Sequence, residues 1–96
     1  MIVQGNTSGS IKSVALTIAG TLTSFNLYNK TAGAIVCTVG VVTADTATDR
    51  YMFNFNLAAN GAATSSVYQE TNITIPNGAK IFLITTGSCD YVFQID

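Results

Sequence analysis

The sequence predicts an all-β fold, an antiparallel β-sandwich of about seven strands with jelly-roll or immunoglobulin-like connectivity. Three observations predict it. Apolar and polar residues alternate with a period of two along most of the chain, which turns one side of each segment inward and the other to water. Seven such runs begin near residues 11, 22, 34, 50, 67, 80 and 91, a spacing of short strands that sandwiches and barrels produce. Residues suited to chain reversal fall between them. A chain of 96 residues holds a single domain, placed over 11–96 behind a flexible N-terminal arm from Met1 to Ser10.

Taken in order, the first run carries Val14, Leu16 and Ile18 and stops at Ala19-Gly20. The second holds Phe25 and Leu27 and turns across Asn29 to Gly33. Ala34 to Val42 is dominated by β-branched residues, which favour extended chain, and is too short to cross a membrane as a helix. It reads as a buried strand. After a longer connection over Thr43 to Asp49, Tyr51-Met52-Phe53-Asn54-Phe55-Asn56-Leu57 gives the cleanest alternation in the chain. The alanines of Ala58 to Ser66 suit a helical turn, but Asn60-Gly61 in their midst argues for a loop. Val67, Ile73 and Ile75 mark the fifth run. Pro76-Asn77-Gly78 then predicts a hairpin into Ile81-Phe82-Leu83-Ile84, because proline pre-sets φ while Asn and Gly accept positive φ. Gly87-Ser88 precedes the last run, Tyr91, Phe93 and Ile95.

Charged residues make up only 9% of the chain, where about 25% is usual. The surface must be built from Thr, Ser and Asn. Four Lys or Arg against five Asp or Glu leave a net charge of −1, too weak a field to capture nucleic acid or an anionic membrane. Met1 to Ser10 has neither the basic start nor the apolar run of a secretory signal. Histidine is absent, which removes the commonest general base and metal ligand. Cys37 and Cys89 lack metal-ligand spacing and are expected to be free thiols.

Chemistry-bearing constellations are sparse. Asp45 and Asp49, with Thr46 and Thr48, offer oxygens of the kind Ca²⁺ takes, but the adjacent Arg50 opposes a cation and the pair reads as solvated acids. Lys12, Lys30 and Lys80 have no partner motif, and Cys89 and Asp90 are strand neighbours pointing to opposite faces. The expectation is therefore no enzyme, no cofactor and no metal. The Asn-x-Ser/Thr triplets at Asn6, Asn29 and Asn72 are what composition alone supplies in a chain so rich in these residues. Tyr28 and Tyr68 fall on polar faces, where they suit stacking on a sugar, so a carbohydrate-binding module stands as an alternative function.

The most informative feature is apolar character on both faces of two strands. In Ala34 to Val42, Ile35, Cys37, Val39 and Val41 take one face, and Val36 and Val42 the other. In Lys80 to Thr86, Ile81 and Leu83 oppose Phe82 and Ile84. A sandwich sheet has one face in the core, so a second apolar face needs its own cover. Val36, Val42, Phe82 and Ile84 are accordingly expected at an interface with another subunit, joined by Ile2 and Val3 of the arm anchoring on a neighbour; the alternative is cover from within the chain, by a loop such as Ala58 to Ser66 or a strand switching sheets at a corner.

The residues Glu70-Thr71-Asn72-Ile73-Thr74-Ile75-Pro76-Asn77-Gly78-Ala79-Lys80-Ile81, followed by Thr85-Thr86-Gly87-Ser88-Cys89-Asp90-Tyr91, resemble the closing segment of small virion proteins of tailed bacteriophages. The likeness covers roughly the last 27 residues; residues 1–69 share only the Thr/Asn-rich, charge-poor texture. It implies an all-β fold, oligomeric assembly without catalysis, and a place in the virion. The first expectation is a capsid decoration or cement protein, a homo-oligomer, preferably a trimer, bound to the major capsid protein at the capsid surface. A small tail or fibre component is the second.

Overall fold

A computed structural model describes residues 1–7, 20–42, 49–76 and 78–96, without the side chains of 42 and 49–52. Seven strands occupy them: β1 (Ile2–Thr7), β2 (Gly20–Asn29), β3 (Ile35–Val42), β4 (Asp49–Leu57), β5 (Ser66–Ile75), β6 (Lys80–Thr85) and β7 (Cys89–Ile95). They form two sheets, β1-β7-β2-β5 and β4-β3-β6, antiparallel throughout. The all-β sandwich is borne out. Because β1 lies beside β7, whereas an immunoglobulin sandwich holds its first and last strands in different sheets, the order is that of a jelly roll.

Alternation decides what each strand buries. Leu22, Phe25 and Leu27 of β2 and Phe93 and Ile95 of β7 meet Ile35, Cys37, Val39 and Val41 of β3 and Ile81 and Leu83 of β6. Phe25 stands at the centre. Its ring lies 5.3 Å from Phe53 and 5.9 Å from Phe55, both edge-on from the other sheet, and 5.9 Å from Phe93. Leu22 and Phe25 both face inward although three apart, because the register shifts between Leu22 and Ser24. A bulge absorbs the extra residue, and Thr71 Oγ1 donates to the Leu22 carbonyl there.

Asn29 fixes one end of the sandwich. Its side chain is buried, and Nδ2 donates to the carbonyls of Gly33 (2.8 Å), Ala58 (2.7 Å) and Leu57 (3.4 Å). Oδ1 accepts from the Thr31 N–H and hydroxyl, each at 2.8 Å. One amide thus ties the end of β2 to the β2–β3 turn and to the end of β4 in the opposite sheet. Gly87 lies close by under a steric limit, since a Cβ there would stand 2.6 Å from Ile35 Cγ2.

Three expectations are corrected or fall outside the description. Met1 to Ser10 is not wholly a flexible arm: Ile2–Thr7 is an edge strand paired residue by residue with β7, and the Met1 ammonium donates to the Ile95 carbonyl. The chain does reverse between Pro76 and Ala79, with Gly78 at φ 85° and the Ala79 N–H bonded to Pro76 O at 3.1 Å, while Asn77 lies outside the described residues. This is no hairpin, however, because β5 pairs with β2 and β6 with β3, so the turn carries the chain between sheets over the buried Ala79. The run containing Val14, Leu16 and Ile18 lies outside the described residues. Ala58 to Ser65 is a loop as expected, with Gly61 at φ 95°, and Ser66 already opens β5.

Asn29→Ala strips partners from several buried polar groups at once, a loss of about 2–4 kcal/mol. Urea unfolding of the variant should show the midpoint lowered accordingly with the slope unchanged.

Candidate functional surface

In the four-stranded sheet the residues that do not enter the core stand in register on one outer face. Asn6, Asp90, Tyr28 and Ser66 form one row; Gln4, Val92, Asn26 and Tyr68 the next; Ile2, Gln94, Ser24 and Glu70 the third. Tyr28 and Tyr68 therefore occupy adjacent rows of neighbouring strands, within reach of each other along the diagonal. Tyr28 is 40% exposed, Tyr68 56% and Ile2 59%, with Val92 half-buried between them. The remainder of the three rows is amide and hydroxyl apart from the carboxylates of Asp90 and Glu70.

The charges on this face are few and largely engaged. Asp90 accepts from Asn6 Nδ2 at 2.8 Å through Oδ1 and lies 3.6 Å from Lys30 Nζ through Oδ2. Asn6 also donates to Ser88 Oγ at 3.2 Å. A pair so exposed adds little stability but holds the carboxylate in place beside Tyr28. Gln4, Gly5, Tyr28, Asp90, Tyr91 and Val92 line a shallow open depression of about 460 Å³. Gly5 leaves room there for the Tyr91 ring, since a Cβ would stand 2.7 Å from Tyr91 Oη and push the ring tip aside.

The six residues expected at an interface do not form one patch. Val36 is exposed on the outer face of the three-stranded sheet, and Ile84 is half-buried on the same face opposite Thr38. Phe82 is corrected: it is 1% exposed within this chain, opposite a buried Gly40, so this end of the face is closed without a second subunit. Ile2 belongs to the outer face of the four-stranded sheet, while Val3 turns inward and packs on the core. The side chain of Val42, like Asp45 and the carboxylate of Asp49, lies outside the described residues. Val92 was missed, though its place between the inward-facing Tyr91 and Phe93 marks it as outward.

Among the described residues no three His, Cys, Asp or Glu side chains gather where they would hold a metal ion. Cys37 and Cys89 are free thiols, as expected.

No family model matches the chain, and no curated protein matches it. Among solved structures it is similar to Eiger TNF from S. frugiperda, at TM-score 0.57 and 8% identity over 97% of this chain and 85% of that one. It is also similar to GEBA250068378 from Sulfurospirillum deleyianum, at TM-score 0.50 and 11% identity over 100% of this chain and 98% of that one. A third similarity, to TmCBM61 in complex with β-1,4-galactotriose, has TM-score 0.42 and 14% identity over 99% of this chain and 61% of that one. At such identities the first two support the sandwich fold and nothing about function, and the third bears on neither.

Tyr28→Ala and Tyr68→Ala should each change stability by less than about 1 kcal/mol, since both rings are substantially exposed, whereas Phe25→Ala should cost about 3–5 kcal/mol. Urea titrations of the three variants make the comparison and supply stable proteins for binding work.

Proposed function

We propose that the chain is a non-enzymatic virion structural module, a capsid decoration or cement protein that clamps a preassembled shell through the outer face of β1-β7-β2-β5. The observation that carries this reading is the make-up of that face. Ile2, Tyr28 and Tyr68 stand exposed around Val92 in a field of amides and hydroxyls with two carboxylates, Asp90 and Glu70. Interface cores are enriched in aromatic residues and depleted of charge, and the middle row of this face, Gln4, Val92, Asn26 and Tyr68, carries no charge, with Asp90 and Glu70 in the two rows that flank it. The closing 27 residues support the setting through their resemblance to small virion proteins of tailed bacteriophages. Low overall charge agrees as well, since a protein that works packed against copies of itself and a lattice has little need of colloidal repulsion. The partners are further copies of the chain, as a trimer, and the major capsid protein; a place in the tail or fibre would use the same face.

A second reading draws on the depression beside Tyr28. A ring wall next to Asp90, Asn6 and Gln4 offers a sugar both a stacking surface and hydrogen-bond partners, so a carbohydrate-binding module is the alternative.

Light scattering of the purified chain should report a multiple of 10.0 kDa. The wild type should raise the disruption temperature of undecorated capsids, and Ile2→Glu and Tyr68→Glu should each weaken binding to those capsids about tenfold or more. A strict monomer at high micromolar concentration that leaves capsids unprotected overturns the reading. Saturable sugar binding by that monomer, lost in Tyr28→Ala, would install the alternative.

A further inference from the structure

Cys37 on β3 and Cys89 on β7 face each other between the two sheets, with Sγ atoms 3.8 Å apart and both side chains fully buried. They come from opposite sheets and lie 52 residues apart in the chain. The Cys37 thiol donates toward Cys89 Sγ, and that bond, with burial, pushes its pKa up; Cys89, which accepts it, is held lower. Two cysteines serving only as small core hydrophobes have no need to meet sulfur to sulfur. At this separation the sulfurs are in van der Waals contact, and a bond at about 2.05 Å asks for an approach of under roughly 2 Å.

We propose that Cys37 and Cys89 are a disulfide-forming pair whose oxidation cross-links the two sheets. The oxidant is a low-molecular-weight disulfide such as oxidised glutathione. The Cys89 thiolate attacks one sulfur of the reagent, whose S–S bond breaks, and the departing glutathione thiolate takes up the proton that Cys89 released. Cys37 then attacks the Cys89 sulfur of the mixed disulfide and expels the second glutathione, which takes the Cys37 proton. Two protein thiols are oxidised, one reagent disulfide is reduced to two thiols, and protons balance. Because both sulfurs are shielded from solvent in the closed sandwich, exchange takes place while the chain folds or while the sheets part. The bond would close a loop of about half the chain, a constraint felt chiefly by the unfolded state. None of this depends on the assembly reading.

The test is refolding of the reduced, denatured chain in a glutathione redox buffer, followed by alkylation and intact-mass measurement. The expected product is a monomeric chain that takes up no alkylating reagent, is about 2 Da lighter than the reduced form through loss of two hydrogens, and melts about 10–20 °C higher. Adding a reductant should return the lower melting temperature, a comparison made on the wild type that needs no variant to fold. Cys37→Ala should give no intramolecular bond. Two alkylated thiols after refolding, disulfide-linked dimers in place of the bridged monomer, or a bridged form melting no higher than the reduced one would each overturn the proposal.

Discussion

The sandwich closes on the ring of Phe25. In a chain so poor in charge and so rich in small hydroxyl residues, few side chains are large enough to fill the space between two sheets, and Phe25 is the one at which the largest meet. Phe53 and Phe55 approach it from the opposite sheet, while Phe93 joins it from the neighbouring strand. Edge-on and tilted contacts of this kind orient the rings as well as bury them. The bulge between Leu22 and Ser24 then follows as a geometric necessity, since without it Leu22 and Phe25 could not share the inner face. The ring thus sets the phase of β2, and β2 carries both of its neighbours.

Asn29 extends that constraint to the edge of the core. Most connections among the described strands pass from one sheet to the other, so the end of the sandwich is crowded with turns whose carbonyls cannot all reach water. A buried amide with both hydrogens and its oxygen engaged answers several at once, and no buried side-chain nitrogen or oxygen among the described residues is left without a partner. A polar residue at such a position costs little only while the set is complete.

Period-two alternation made six strands legible in the sequence, because each buries one face and the pattern is local. Its limits were equally physical. β1 shows a single inward apolar residue, Val3, and a glycine in mid-strand; Gly5 is there because Tyr91 lies against it, a reason found on another strand. The chemistry of Pro76 to Gly78 announces a reversal but carries no information about which sheet receives the next strand. The outward apolar residues of β3 and β6 were visible too, yet whether Phe82 meets water depends on what the rest of the chain lays over it. On the candidate surface, Ile2 could not be told from the inward Val3 beside it, whereas Tyr28 and Tyr68 were readable as outward. Their assembly into adjacent rows was not, since it depends on β1 pairing with the last strand and β2 running between β7 and β5.

That same pairing explains why the four-stranded sheet carries the surface best suited to a partner. Bringing β1 beside β7 places a segment from the start of the chain next to one from its end, and widens the outer face by a row of Ile2, Gln4 and Asn6. Among the described residues the three-stranded sheet shows no comparable field, for Phe82 and Gly40 are closed over and Val36 stands among the exposed Asn54 and Asn56. A partner that docked there would bury amides around one exposed valine and the half-buried Ile84. On the wider face it would cover two tyrosines, an isoleucine and a valine while displacing water from side chains able to bond to it, and the face's two carboxylates, Asp90 with its Lys30 partner and Glu70, stand in the outer rows, where desolvation need not be complete.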